Sequence, residues 1–108
     1  MPPDGDTIQP NNDALMIQQL GFLLTDLQFN FVNATPLQRA QIRPALEEAL
    51  AKYENYRRKL LEDSVLTTQQ DLDEIRQIKN EIDNAAITQT LLTGIARLIA
   101  FVALRGGV

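Results

Sequence analysis

The stretch from Thr68 to Arg105 constrains the fold of this chain more than any other. No proline interrupts it, and apolar residues recur at Ile75, Ile78, Ile82, Ala85, Leu92, Ala96, Ile99 and Ala103. Steps of three, four and seven mark one apolar face of a helix, because about 3.6 residues complete a turn. Unbroken, such a helix is ~55 Å long at a rise of about 1.5 Å per residue. Its first half is heavily charged, whereas Leu91 to Leu104 is apolar except for Arg97 and a few small residues. An apolar helix end needs a covering surface, so the rest of the chain or a partner must supply one.

Upstream, the spacing predicts a first helix from about Asp13 to Asn33, with Asn11, Asn12 and Asp13 offering side-chain oxygens to its free amides. Met16, Leu20, Leu23, Leu27 and Phe31 form one stripe. Leu15, Phe22 and Phe29, seven apart, form a second on another side, with Ile17, Leu24 and Val32 between them. A helix apolar over so much of its circumference is central to a bundle or covered by a partner. Asp26 is its one charge beyond Asp13. Gly21 costs roughly 1 kcal/mol against Ala in a helix interior unless another backbone comes close there.

Thr35-Pro36-Leu37-Gln38 punctuates the chain: a capping threonine, a proline at the first helical position and a glutamine that closes a capping box. The second helix should run to about Glu62 along Ile42, Leu46, Ala49, Tyr53, Tyr56 and Leu60. Pro44 predicts a kink or a restart, since its ring opposes the carbonyl of Ala40. Residues 63–67 then make a brief connection, and Thr68 with Asp71 or Thr67 with Gln70 caps the third helix. A short link favours antiparallel neighbours, so helices two and three should form a hairpin. Helix one should then cover the apolar surplus of helix three.

With 108 residues the chain forms one domain: a flexible arm over 1–11, a helical domain over 12–105 and a tail over 106–108. It contains no cysteine and no histidine, which removes thiolate chemistry, the usual general base and the commonest transition-metal ligands. Asp71, Asp73 and Glu74 read as acids favoured at a helix start. Arg57, Arg58 and Lys59, with Arg39 and Arg43, read as a solvated face. No catalytic residue, cofactor or metal site is therefore expected. A net charge of -4 argues against nucleic acid. The acidic Met1 to Asp6 segment resembles no targeting peptide, and the expected location is cytoplasmic. Arg97, set among Ile95, Leu98 and Ile99, needs solvent or a carboxylate, and Asp26 is the expected ion-pair partner.

Two resemblances arise from particular residues. Leu104-Arg105-Gly106-Gly107 matches the processed tail of ubiquitin over four residues, without any strand pattern to accompany it. Size, acidity and a helical hairpin resemble the secreted WXG100 family. Ser64-Val65-Leu66-Thr67 stands where that family has its Trp-x-Gly turn, and Arg57 and Leu60 follow Tyr53 and Tyr56 where its export signal needs an acid.

The sequence thus predicts an all-α chain: a three-helix bundle built on a long antiparallel hairpin with an apolar N-terminal helix. Apolar surface exceeds what one such bundle hides. The expected outcome is a coiled-coil-like homodimer or higher oligomer through Leu15, Phe22, Phe29, Leu98, Phe101 and Val102, in a non-enzymatic module that also binds another protein. The alternatives are membrane interaction through residues 91–104 and a WXG100-like hairpin.

Overall fold

The computed structural model describes residues 10–62 and 67–106; residues 1–9 of the arm expected over 1–11, residues 63–66 of the connection and residues 107–108 of the tail lie outside the described residues, while residues 10 and 11 belong to the first helix and Gly106 to the last. The described residues form four helices and no strand: α1 (Pro10–Val32), α2 (Pro36–Glu62), α3 (Gln69–Asp83) and α4 (Thr88–Gly106). The fold is all-α, as the periodicity requires. The long third helix of the sequence reading is two helices, broken at residues 84–87.

Local chemistry sets most boundaries. Pro10 opens α1, where its missing N–H leaves no bond unmade. Between α1 and α2, Thr35 N donates to Gln38 Oε1 at 3.0 Å and Gln38 N donates to Thr35 Oγ1 at 3.2 Å, the expected reciprocal cap. Thr68 and Asp71 form the same box on α3, with Asp71 N donating to Thr68 Oγ1 at 3.1 Å and Thr68 N to Asp71 Oδ2 at 3.2 Å. At the other end of α3, Asn84 N donates to the Asn80 carbonyl at 3.0 Å and Asn84 Nδ2 to the same oxygen at 2.8 Å, which stops the helix. The α2 helix continues across Pro44 without a restart. Ala40 and Pro44 face solvent, where the carbonyl opposed by the ring is open to water.

The helices pack in a ring of order α1, α2, α4, α3, and the diagonal pairs α1/α4 and α2/α3 make no close backbone approach. Arg43 beside Phe31 makes α1 and α2 antiparallel. Arg105 on Asp71 and Gly94 on Ile82 make α3 and α4 antiparallel. Asp13 at Thr67 and Asp26 at Lys79 align α1 with α3 in parallel. The expected hairpin of helices two and three is thus replaced by one of α3 and α4. The apolar C-terminal segment is covered by α2 and α3, not by helix one. The reason is geometric: folding back at 84–87 brings that segment between two amphipathic helices, whereas a straight helix would carry it past them.

The break also resets the helical phase. Leu91, Ile95, Leu98 and Val102 are buried, while the expected seam of Leu92, Ala96, Ile99 and Ala103 lies one residue round and is half-buried or exposed. With Met16, Leu20, Leu23 and Leu27 of α1, Ile42, Leu46, Ala49, Tyr56 and Leu60 of α2, and Leu72, Ile75, Ile78 and Ile82 of α3, these residues make one core. Gly94 permits the closest approach: a Cβ there would lie 2.8 Å from Ile82 Cγ1. No such neighbour explains Gly21, around which there is open space.

Candidate interaction surface

The expected interface divides in two. Leu98, Phe101 and Val102 are buried in the core, so in this fold they are interior residues and not a docking surface. This corrects half of the sequence reading, and the cause is the same break that turned α4 inward. Phe22 and Phe29 remain outside, 52% and 68% exposed, and Val32 follows them at 68%. Leu15 is half-buried against the core.

Between these residues Gln18 and Thr25 are also exposed. The outward line of α1 is therefore Leu15, Gln18, Phe22, Thr25, Phe29 and Val32, in alternating steps of three and four. That spacing is a coiled-coil seam on a helix whose opposite face already fills the core. The seam carries no charge. Asp26, the single charge between Ala14 and Val32, is turned to α3, where its Oδ2 lies 3.0 Å from Lys79 Nζ. Lys79 Nζ also donates to Asp83 Oδ2 at 2.7 Å. Burial would raise the Asp26 carboxyl, but hydrogen bonding to Lys79 and Asp83 outweighs it and leaves the group below its ordinary value. The hydrogen bonds to Asp83 and Asp26 hold the Lys79 ammonium above its own ordinary value. Phe29, Asp26, Asn30, Lys79 and Asp83 line a shallow groove beside the seam.

Within the chain, the expected Arg97–Asp26 pair is not formed. Arg97 bonds Glu81, both on the solvent side of the α3/α4 hairpin. Asp26 lies across the bundle on a helix that α4 does not approach, which is why each finds a nearer partner.

The far end of the bundle holds a polar cluster drawn from all four helices. Asn12 Nδ2 donates to the Thr67 carbonyl at 3.0 Å, and Asp13 Oδ1 accepts from Thr67 N at 3.2 Å and from the Thr67 hydroxyl. Two residues expected to cap α1 thus tie it to the entry of α3. Arg105 Nη2 donates to Asp71 Oδ1 at 2.9 Å and lies 3.5 Å from Glu74 Oε1, with its guanidinium 3.7 Å over the Phe101 ring. Buried Tyr56 packs edge-on to that ring at 6.3 Å between centroids. Burial, with Asp71 nearby, pushes the Tyr56 phenol up to about 12. The cluster holds a protonated phenol and a carboxylate already shared between a helix cap and an arginine. Its chemistry is that of a clasp joining four helix ends.

Asp73 lies 3.7 Å from Arg76 and accepts from Gln69 at 3.1 Å. Among the described residues no group of three acidic side chains converges as a metal site would require. Arg57 and Arg58 are exposed, and Arg43 lies 5.1 Å from the centre of the Phe31 ring. Sequence reading missed the outward role of Val32, Leu37 and Ile87, all exposed. No family model matches this chain, nor does any curated protein or solved structure.

Proposed function

We propose that this chain is a non-enzymatic, cytoplasmic protein–protein interaction module that docks through the outward seam of α1. The observation that carries this reading is a pair of phenylalanines a heptad apart, more than half exposed, on a helix face with no charge. Apolar residues scattered singly on a surface are ordinary, but aromatic side chains aligned along one helix face favour helix-on-helix docking. Partners are a further copy of the chain, another protein, or both. The test is affinity capture from the source cell with the intact chain and with a Phe22→Ser/Phe29→Ser variant, read by mass spectrometry. The reading expects associations that the variant loses. Retention of every association by a folded variant would refute it.

One observation favours a second reading. The α4 helix is long and apolar enough to cross a membrane by length and composition, a test that core helices of soluble proteins also pass. Flotation with anionic liposomes at physiological salt separates the two, because the membrane reading requires co-flotation and release of α4 from the core.

A further inference from the structure

The geometry points to a second contact surface, at one end of the bundle, and to an anionic membrane surface as what it touches. This goes beyond the seam reading: the end shares Phe29 and Val32 with that seam but needs Leu37, Ile87, Arg39 and Arg43, which lie off it. Here α1 stops, α2 starts and residues 84–87 turn, and Asn33, Gln38 and Ile87 line one shallow pocket where the three segments meet. Of the seven large apolar side chains left exposed among the described residues, four stand at this end: Phe29, Val32, Leu37 and Ile87, each 63–72% exposed.

The charges at this end are of one sign. Residues 27–46 and 84–96 contain no Asp or Glu, in a chain whose net charge is -4. They do contain Arg39 and Arg43, neither of which makes an ion pair among the described residues. Arg39 Nε has no hydrogen-bond partner, and Arg43 rests on the Phe31 ring. Asp26 and Asp83, the first carboxylates back along α1 and α3, are both tied to Lys79. The opposite end is different: Leu61 and Leu104 share it with Glu62, Asp71 and Asp73.

Depth and width favour lipid as the occupant. Apolar groups of a surface-bound helix sit about 5–10 Å into the boundary between headgroups and acyl chains. Arg39 and Arg43 lie ~3 Å and ~9 Å beyond Leu37 along α2, at about 1.5 Å per residue, so they reach the phosphates when Leu37 is in that boundary. On the same scale Asp26 lies ~9 Å back from Val32, beyond a Debye length of about 8 Å, so salt screens the acidic body from the lipid. The molecule measures 51 × 25 × 18 Å, and its narrow end is too small for a protein interface of ordinary size. Fluid lipid closes round separate side chains, which a rigid protein face does not.

Flotation of the full chain at physiological salt, with vesicles of phosphatidylcholine and phosphatidylserine, is the test. The chain should rise with them and stay behind with phosphatidylcholine alone. Leu37→Ser/Ile87→Ser and Arg39→Gln/Arg43→Gln, each with unchanged helicity by circular dichroism, should weaken binding about 10-fold or more. Phe22→Ser should bind as the parent does. Because the chain has no cysteine, an environment-sensitive maleimide can report on single positions. On Leu37→Cys its emission should shift to the blue with the anionic vesicles; on Ala100→Cys, exposed on α4 well away from this end, it should not. A folded chain that never floats, equal binding to both vesicles, or binding that survives both double variants would overturn the inference. A blue shift at Ala100→Cys would also overturn it, since it marks α4 leaving the core instead. The seam reading is judged apart, because loss of a captured protein from the Phe22/Phe29 variant upholds it whether or not the chain floats.

Discussion

Two glycines in two helices make a matched pair that tests the packing of the α3/α4 hairpin. Replacing either by alanine gains about 1 kcal/mol of helix propensity, partly by restricting the unfolded chain. At Gly21 nothing lies within 4 Å of the new Cβ, so that gain should appear in full. At Gly94 the new Cβ meets Ile82 Cγ1 at 2.8 Å, with Ile82 Cδ1 at 3.7 Å and Cα at 3.8 Å. The colliding atom is not the free end of a long side chain. It is a branch of a β-branched residue with one favoured rotamer in a helix, and Ile82 is buried on every side. Relief requires an off-rotamer isoleucine or a wider hairpin, and overpacking of this kind costs about 1–3 kcal/mol. Gly94→Ala should thus be less stable than Gly21→Ala by that amount, and no more stable than the parent chain. Urea unfolding at several protein concentrations gives the comparison, with unchanged slopes to certify that midpoints report stability and concentration series to separate any association. Ile82→Ala supplies a cycle: its own cost should shrink in the Gly94→Ala background, since it removes the colliding atom. Additive effects, or a Gly94→Ala gain equal to that of Gly21→Ala, would refute the close approach and the hairpin with it.

Tyr56 should make the fold labile to alkali. Its folded-state value of about 12 lies above the ordinary 10.0, so its contribution is whole below pH 10 and is lost as pH rises from there to 12. Tyr56→Phe should flatten that limb by about 2 kcal/mol in urea titrations at graded pH. Asp26 acts in the other direction, its stabilisation being present above the ordinary carboxylate range and lost as pH falls through its lowered folded value. The pair is partly exposed, so Asp26→Asn should cost only about 0.5 kcal/mol at neutral pH and remove that acid dependence. Asp13→Ala leaves the Thr67 amide and hydroxyl without their acceptor and should cost about 1–3 kcal/mol, read as a lowered melting temperature. Arg105→Met keeps an apolar stem against Phe101 but removes the bonds to Asp71, and should cost about 1–2 kcal/mol in the same assay.

What could be read from sequence was what neighbours along the chain decide. The boxes at Thr35 and Thr68 are local chemistry between residues three apart, and both form. The inward seams of α1, α2 and α3 follow from periodicity within single helices, and they fill the core. The break at 84–87 was decided elsewhere. Ala85 and Ala86 are strong helix formers, so local propensity favours continuing through them. Asn84 and Thr88, cap-forming residues flanking a switch from charged to apolar composition, were the available signal. Only tertiary packing makes the turn worthwhile, because it places Leu91, Ile95, Leu98 and Val102 between α2 and α3.

That single turn also fixes how much apolar surface is left for a partner. A continuous third helix would expose Leu98, Phe101 and Val102 together with the phenylalanines of α1, a broad patch suited to an obligate oligomer. Folding back withdraws Leu98, Phe101 and Val102 into the core and leaves Phe22, Phe29 and Val32 aligned on α1, with Leu37, Leu61, Ile87 and Leu104 exposed elsewhere. The strip cannot be withdrawn in the same way, since α1 already gives its buried face to α2 and α3, and Phe22 and Phe29 stay exposed, Phe29 at the edge of the groove that Lys79 and Asp83 of α3 line. A helix with two apolar stripes in a ring of four can bury one of them. The second stays at the surface, with Phe22 and Phe29 more than half exposed.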